Sequence, residues 1–171
     1  MLGSSHIAGA EWHSSSHLAY IVGEAVELCR KEYTRPSYAS DWFTPPVGLQ
    51  TETLQVSLDW VDVPANPVGN NKTMYLDGDA FTLPLRLRKW RAGDHFSPLG
   101  MRGQSQKVQD FLTNNKVSKR QKQEILVLES QEGIVCIPGF RMAEWVRITA
   151  ETKRALRITC DGLTLPMQAT P

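Results

Sequence analysis

The sequence predicts an α+β fold: a small, strand-rich mixed domain with one or two short helices, preceded by a smaller N-terminal segment. Three observations carry that reading. Short alternations of apolar and polar residues recur between residues 53 and 159, separated by turns rich in Gly, Pro, Asn and Asp. One apolar triplet at i, i+3, i+4 (Val108, Phe111, Leu112) marks a one-sided helix over about residues 106–114. With 171 residues, 41% hydrophobic and 22% charged, the chain has the makeup of a globular protein with one core of ordinary size.

The elements follow in order. Residues 1–10 are small and polar, and are expected to be frayed. Residues 11–33 admit two readings. Ala19, Val22, Val26 and Cys29 fit a helical face, whereas Tyr20–Val22 and Ala25–Leu28 read as two short strands around Gly23. The strands are preferred. Pro36, Pro45, Pro46 and Gly48 make residues 34–51 a connector that cannot run as a helix. Thr53–Leu58 alternates as a half-buried strand, and Pro64, Pro67, Gly69, Asn70 and Asn71 form a second loop. A boundary is expected near residue 70. The chain then divides into an acidic connecting segment (1–70), a domain (71–161) and a tail without periodicity (162–171).

Within that domain, Met74–Leu76 reads as a short strand closed by Asp77-Gly78. Leu83, Leu85 and Leu87 alternate with Pro84, Arg86 and Arg88, giving a buried face and a basic one. Gly93-Asp94 and Pro98-Leu99-Gly100 lie in a long loop that is expected to brace the helix after residue 107. Ser118 and Gln121 have the capping-box spacing, which opens a short basic helix at Lys119. Ile125–Leu128, Ile134–Ile137, Trp145–Ile148 and Ala155–Thr159 read as strands.

The net charge of +1 hides two unlike parts. Residues 1–79 carry 4 basic and 10 acidic side chains, net −6, and residues 80–160 carry 15 basic and 7 acidic, net +8. No run approaches the roughly 18 apolar residues of a membrane span, and no secretory signal is visible. Cys29, Cys136 and Cys160 are far apart and read as small buried residues of a protein in a reducing compartment.

No Walker-type phosphate loop, G-x-S-x-G or H-E-x-x-H is present, so no catalytic residue is assigned. His13 and His17 are four apart across three serines, a poor helix, and no metal site is assigned to them. Asp94 and Asp110 have no visible partner. Asp94 follows Gly93 in a turn, where bonding to local backbone amides is its simplest role.

The basic residues are better organised. Arg86, Arg88 and Trp90 share the face opposite the leucines, Trp145 and Arg147 share another outward face, and Arg157 faces outward on the last strand. Lys116, Lys119, Arg120 and Lys122 cluster where the two helices meet. Such cations neutralise phosphates and release counterions, the main sequence-independent source of nucleic-acid affinity. The competing reading is a solvated helix face.

Residues 83–120, LPLRLRKWRAGDHFSPLGMRGQSQKVQDFLTNNKVSKR, closely resemble the C-terminal domain of bacterial tRNA(Ile)-lysidine synthetase. The matching positions are Pro84-Leu85, Leu87-Arg88, Gly93-Asp94, Phe96, Pro98-Leu99-Gly100-Met101, Gly103, Lys107, Asp110-Phe111-Leu112 and Lys116-Val117. The resemblance continues through Ile134-Val135 and Gly139-Phe140-Arg141 to Thr152–Leu156, about residues 74–159 in all. Residues 9–29 resemble the preceding part more faintly, with Ser14 and His17 in a Ser-x-x-His segment. Two departures stand out. The family's S-G-G-x-D-S ATP loop is absent, and Gln106 replaces the first of two basic residues before the helix.

The resemblance implies a non-catalytic C-terminal part of a larger enzyme. That enzyme uses ATP to attach lysine to the wobble cytidine of an isoleucine tRNA, and its C-terminal region binds the tRNA acceptor stem. The implied fold is similar to a module of phenylalanyl-tRNA synthetase. ATP and lysine would be substrates of the full enzyme, with no cofactor in this chain, which alone is expected to be inactive. Expected partners are a tRNA and the missing N-terminal catalytic domain. A homodimer stays open, no membrane partner is expected, and the setting is cytoplasmic. The expected tRNA-binding residues are Arg86, Arg88, Arg91, Lys107, Lys116, Lys119, Arg120, Arg141 and Arg147. Gly93, Asp94, Pro98, Leu99, Gly100, Asp110 and Phe111 are expected to be architectural. The alternative is a protein-interaction or structural module with a basic face, on which the acidic half docks.

Overall fold

A computed structural model describes residues 11–13, 17–22, 25–30, 39–51, 54–70 and 72–161, the strands before residue 31 by their backbone alone. Residues 1–10, which the sequence leads us to expect frayed, Ser14, the tail from residue 162 and the side chains of His13, His17 and Cys29 lie outside the described residues.

The first strands form one antiparallel sheet: β1 (Glu11–His13), β2 (His17–Val22) and β3 (Ala25–Arg30), with Tyr20 opposite both Glu11 and Glu27. This is the preferred reading of residues 11–33. β4 (Val47–Gln50) and β5 (Gln55–Val61) follow, then β6 (Thr73–Asp77) and β7 (Arg86–Lys89). A two-stranded ribbon, β8 (His95–Phe96) with β9 (Gln106–Lys107), leads into α1 (Val108–Asn114) and α2 (Lys119–Lys122). The chain finishes with β10 (Leu126–Glu129), β11 (Ile134–Ile137), β12 (Arg141–Met142) and β13 (Ala155–Asp161).

Two four-stranded sheets hold the core, in the orders β12-β11-β10-β7 and β4-β5-β13-β6. β13 pairs antiparallel with β5 along its whole length, from Ala155 opposite Val61 to Asp161 opposite Gln55, and with β6 on its other side. The expected boundary near residue 70 therefore falls inside a sheet. Residues 64–70 link two strands that both flank β13. Leu54, Val56 and Leu58 are buried in the same core as Leu156 and Ile158, and it is this shared burial that joins the two segments.

Local chemistry accounts for the helices. Val108, Phe111 and Leu112 are buried on one face of α1, as their spacing predicts. Ser118 and Gln121 form the reciprocal capping box that starts α2. Under α1, Phe96, Phe111 and Phe140 meet edge to face, with centroids 5.1 Å and 6.3 Å apart.

Trp145–Ile148 departs from expectation. It is not a strand. Glu144–Val146 is a 3-10 turn with Val146 buried. The Glu144 amide donates to the Ser97 carbonyl at 2.7 Å, so this backbone bonds to the preceding loop and pairs with no strand. Trp145 and Arg147 still face outward. Among the described residues no helix is long and apolar enough to cross a membrane.

Candidate nucleic-acid interface

The loop from Gly93 to Gln104 is a chain of tight turns. Gly93, Gly100 and Gly103 have φ of +96°, +94° and +79°, the region open to glycine at little cost. The Leu99 amide donates to the Met142 carbonyl at 2.9 Å, and the Gly100 amide to Glu144 Oε2 at 2.6 Å. The Val108 amide donates to the Asp94 carbonyl at 2.9 Å, so the loop braces the start of α1.

Asp94 has a partner that its sequence surroundings did not reveal. Arg88 Nη1 and Nη2 donate to its two carboxylate oxygens at 2.8 and 3.0 Å, while Arg88 Nε donates to Glu129 Oε2 at 2.7 Å. The Arg91 amide adds a bond to Asp94 Oδ2 at 2.7 Å, the local backbone role expected of that carboxylate. Burial alone would raise the Asp94 pKa. The bonds from Arg88 and Arg91, together with their charges, outweigh it and hold the carboxyl below its usual range. Burial alone would lower the Arg88 pKa, but its bonds to Asp94 and Glu129, with their charges, outweigh that and hold its guanidinium above the ordinary value.

This corrects the expected outward placement of Arg88, which is only 7% exposed. Strict alternation would put it in solvent. Instead the Gly93–Gln104 loop brings Asp94 over that face of β7, and Leu87 and Arg88 are both buried. Arg88 positions the loop.

The other predicted cations stand at the surface or at its edge. Arg91, Lys107, Lys116, Lys119, Arg141 and Arg147 are exposed, and Arg86 and Arg120 are half-buried. Trp90 Nε1 donates to the Lys122 carbonyl at 2.5 Å, which ties the end of β7, just before Arg91, to α2. Lys107 occupies the position just before α1 without a side-chain cap bond, and Lys116 lies between the two helices. Burial lowers the Lys122 pKa, partly offset by the charge of Asp110. Arg86 lies 5.9 Å from the ring centroid of Trp42, an exposed aromatic beside the basic strand that the sequence did not single out.

Lys116 is unusual. Its φ is +55°, in the left-handed region. The Lys116 amide donates to Thr113 and the Val117 amide to Leu112, the paired bonds of a Schellman helix end. Val117 and Leu112 are both buried, supplying the hydrophobic contact of that motif. Glycine is the residue that usually fills this position. Arg102, absent from the predicted set, is exposed with φ +51°.

Arg141 and Arg147 belong to a different place. They border a cleft of about 430 Å³ formed by residues 67–70, Met74, Tyr75, Leu99, residues 140–142, Arg147 and Ile148. Two further arginines are engaged by the acidic half. Arg157 pairs with Asp59 at 3.3 Å, and Arg154 pairs with Asp79 at 3.5 Å while stacking over Trp60 at 4.2 Å. Among the described residues no group of His, Cys, Asp or Glu is arranged to hold a metal ion.

No protein-family model matches the chain. It is 36% identical over 118 residues to the tRNA(Ile)-lysidine synthase of Parabacteroides distasonis, covering 68% of this chain and 25% of that protein. It is 30% identical over 149 residues to the tRNA(Ile)-lysidine synthase of Dehalococcoides mccartyi, covering 81% of this chain and 29% of that protein. The chain thus spans about a quarter of the length of these curated relatives. Among solved structures it superposes on the TILS C-terminal domain with a TM-score of 0.65 at 18% identity, covering 75% of this chain and 99% of that one. At that identity the structural likeness is one of fold.

Proposed function

From the likeness of its C-terminal part to the C-terminal region of tRNA(Ile)-lysidine synthases, in sequence and in fold, we propose that this chain supplies the tRNA-binding region of such an enzyme. In this reading it engages the acceptor stem. ATP, lysine and the wobble cytidine are handled by a catalytic domain outside this chain, in the cytoplasm.

The observation that carries the reading is Lys116. A lysine sits at a helix end where glycine is favoured, at a backbone cost of about 1 kcal/mol. A strained cation at the surface, next to the basic helix α2, has a use if it meets phosphate. An A-form stem admits no side chain into its deep major groove, so recognition rests on phosphates, 2′-hydroxyls and the shallow groove. Exposed cations on short helices and strand ends that are themselves locked in place suit that task. Arg91, Lys107, Lys116, Lys119 and Arg120 form the main contact set, supplemented by Arg86, Arg141 and Arg147.

Lys116→Gly tests this directly. The variant is expected to be at least as stable as the parent in thermal melts, because glycine relieves the left-handed backbone. It is also expected to bind tRNA more weakly, with a log K against log salt slope shallower by about 1. Unchanged tRNA affinity, or no binding by the parent chain at low salt, overturns the proposal.

Among the described residues, the interaction-module alternative finds support at the start of β13, where Asp59 of the acidic half takes up Arg157, and just before it, where Asp79 takes up Arg154.

A further inference from the structure

We infer that the cleft bordered by Arg141 and Arg147 is a site for one unpaired nucleotide of a bound RNA. The inference rests on the RNA-binding reading above and deepens it.

The cleft has the size of a small-molecule site, at about 430 Å³. Its lining is divided. Met74 and Met142 are buried, Leu99 and Phe140 are half-buried, and together they offer an apolar floor. Tyr75 lines it as well, half-buried on β6, an edge strand of its sheet. Arg141 and Arg147 are exposed and bring positive charge to the same opening. An apolar and aromatic floor beside two guanidinium groups matches a ligand with a flat base at one end and a phosphate at the other. In a duplex the bases are stacked and paired, out of reach of such a cleft, so the base that enters is unpaired.

The cleft is also built in advance. A Cβ at Gly69 would collide with the Thr73 carbonyl, so the loop rim packs directly on the start of β6. Asn70 Oδ1 accepts from the Lys72 and Thr73 amides at 2.8 and 2.9 Å. On the opposite side, Leu99 is anchored to Met142 through its amide. Glu144 is the ion-pair partner of Arg147. Its Oε1 lies 3.6 Å from Arg147, but its Oε2 is already held by the Gly100 amide, and the Arg147 side chain stays 61% exposed. Arg147 is thus steadied at the rim with most of its surface open to a ligand.

The test compares two RNA hairpins of identical stem by fluorescence anisotropy on the 171-residue chain. One ends blunt, and the other carries four unpaired 3′ nucleotides. The overhang is expected to tighten binding about fivefold or more, the effect of stacking one base. That ratio is expected to fall toward one in Tyr75→Ala and in Arg147→Ala. If Tyr75→Ala fails to fold, Arg147→Ala, a change at an exposed side chain, still decides the matter. Equal affinity for the two hairpins, or a ratio that survives Arg147→Ala, overturns the inference while leaving the RNA-binding reading intact. Calorimetric binding of free AMP without any overhang advantage would assign the cleft to a free nucleotide instead, and also overturns it. Failure of both hairpins to bind refutes the RNA-binding reading itself.

Discussion

In the sheet β12-β11-β10-β7, Arg88 is held inside, locked between Asp94 and Glu129. In the sheet β4-β5-β13-β6, Arg157 stands opposite Asp59 with both side chains 41% exposed. Both arginines occupy strand positions flanked by buried apolar residues, Leu87 at Arg88 and Leu156 and Ile158 at Arg157. The difference lies in what reaches the outward face. A loop carrying Asp94 covers the first, and water still reaches the second. The same residue type therefore organises a loop in one sheet and contributes a surface ion pair in the other. The sheets also differ in assembly. The first is gathered from residues 86–142, whereas the second brings residues 47–61 to residues 155–161.

Removing residues 1–61 should have the largest effect, because it strips β4 and β5 from β13 and leaves Leu156 and Ile158 without Val56 and Leu58. We expect no cooperative transition in thermal melts followed by circular dichroism. A truncated protein that melts as sharply as the parent would mean that the second sheet does not depend on its distant half.

Arg88→Ala comes next. It leaves two carboxylates without their cation in a mostly buried setting, and we expect a loss of about 3 kcal/mol in denaturant unfolding. The loss carries a pH signature. The Asp94 carboxyl is depressed in the folded chain, so its contribution is present above the unfolded value near 3.8 and disappears as pH falls through the lower folded value. In Asp94→Asn the acid side of the stability profile should be shallower than in the parent. Parallel acid profiles would show that the ion cluster contributes little there.

Arg157→Ala should have the smallest effect. Half-exposed ion pairs are worth about 0–1 kcal/mol, and the change should move the unfolding midpoint little. A loss as large as that of Arg88→Ala would erase the distinction between the sheets.

Features set by near neighbours were legible in the sequence. The Val108, Phe111 and Leu112 triplet lies on one face of α1, and Ser118 with Gln121 closes a capping box, because each depends only on residues within a turn. The alternation at Leu85 and Leu87 placed those leucines inside. At Arg88 the same alternation misled, since it separates two faces without saying which stays open. Trp145–Ile148 misled for a related reason: Val146 is buried as expected, but Ser97 and Gly100 bind the backbone and carboxylate of Glu144 and wind the chain into a turn. The cleft at Arg141 and Arg147 was not legible either, as its walls come from residues 67–70, Met74 and Tyr75 as well as Leu99, residues 140–142, Arg147 and Ile148.

By itself, then, the sequence determined the strand-rich class, one or two short helices, the tight glycine turns and a cation-rich second half, all properties of local period, backbone freedom and composition. Only the tertiary structure decided which cations face water. It buried Arg88 with Asp94 and Glu129, spent Arg154 and Arg157 on acids from the first half, and left Lys107, Lys116, Arg141 and Arg147 at the surface. The reason is physical: whether a charge is buried or exposed depends on which distant segment packs against its face, and no short window of sequence contains that partner.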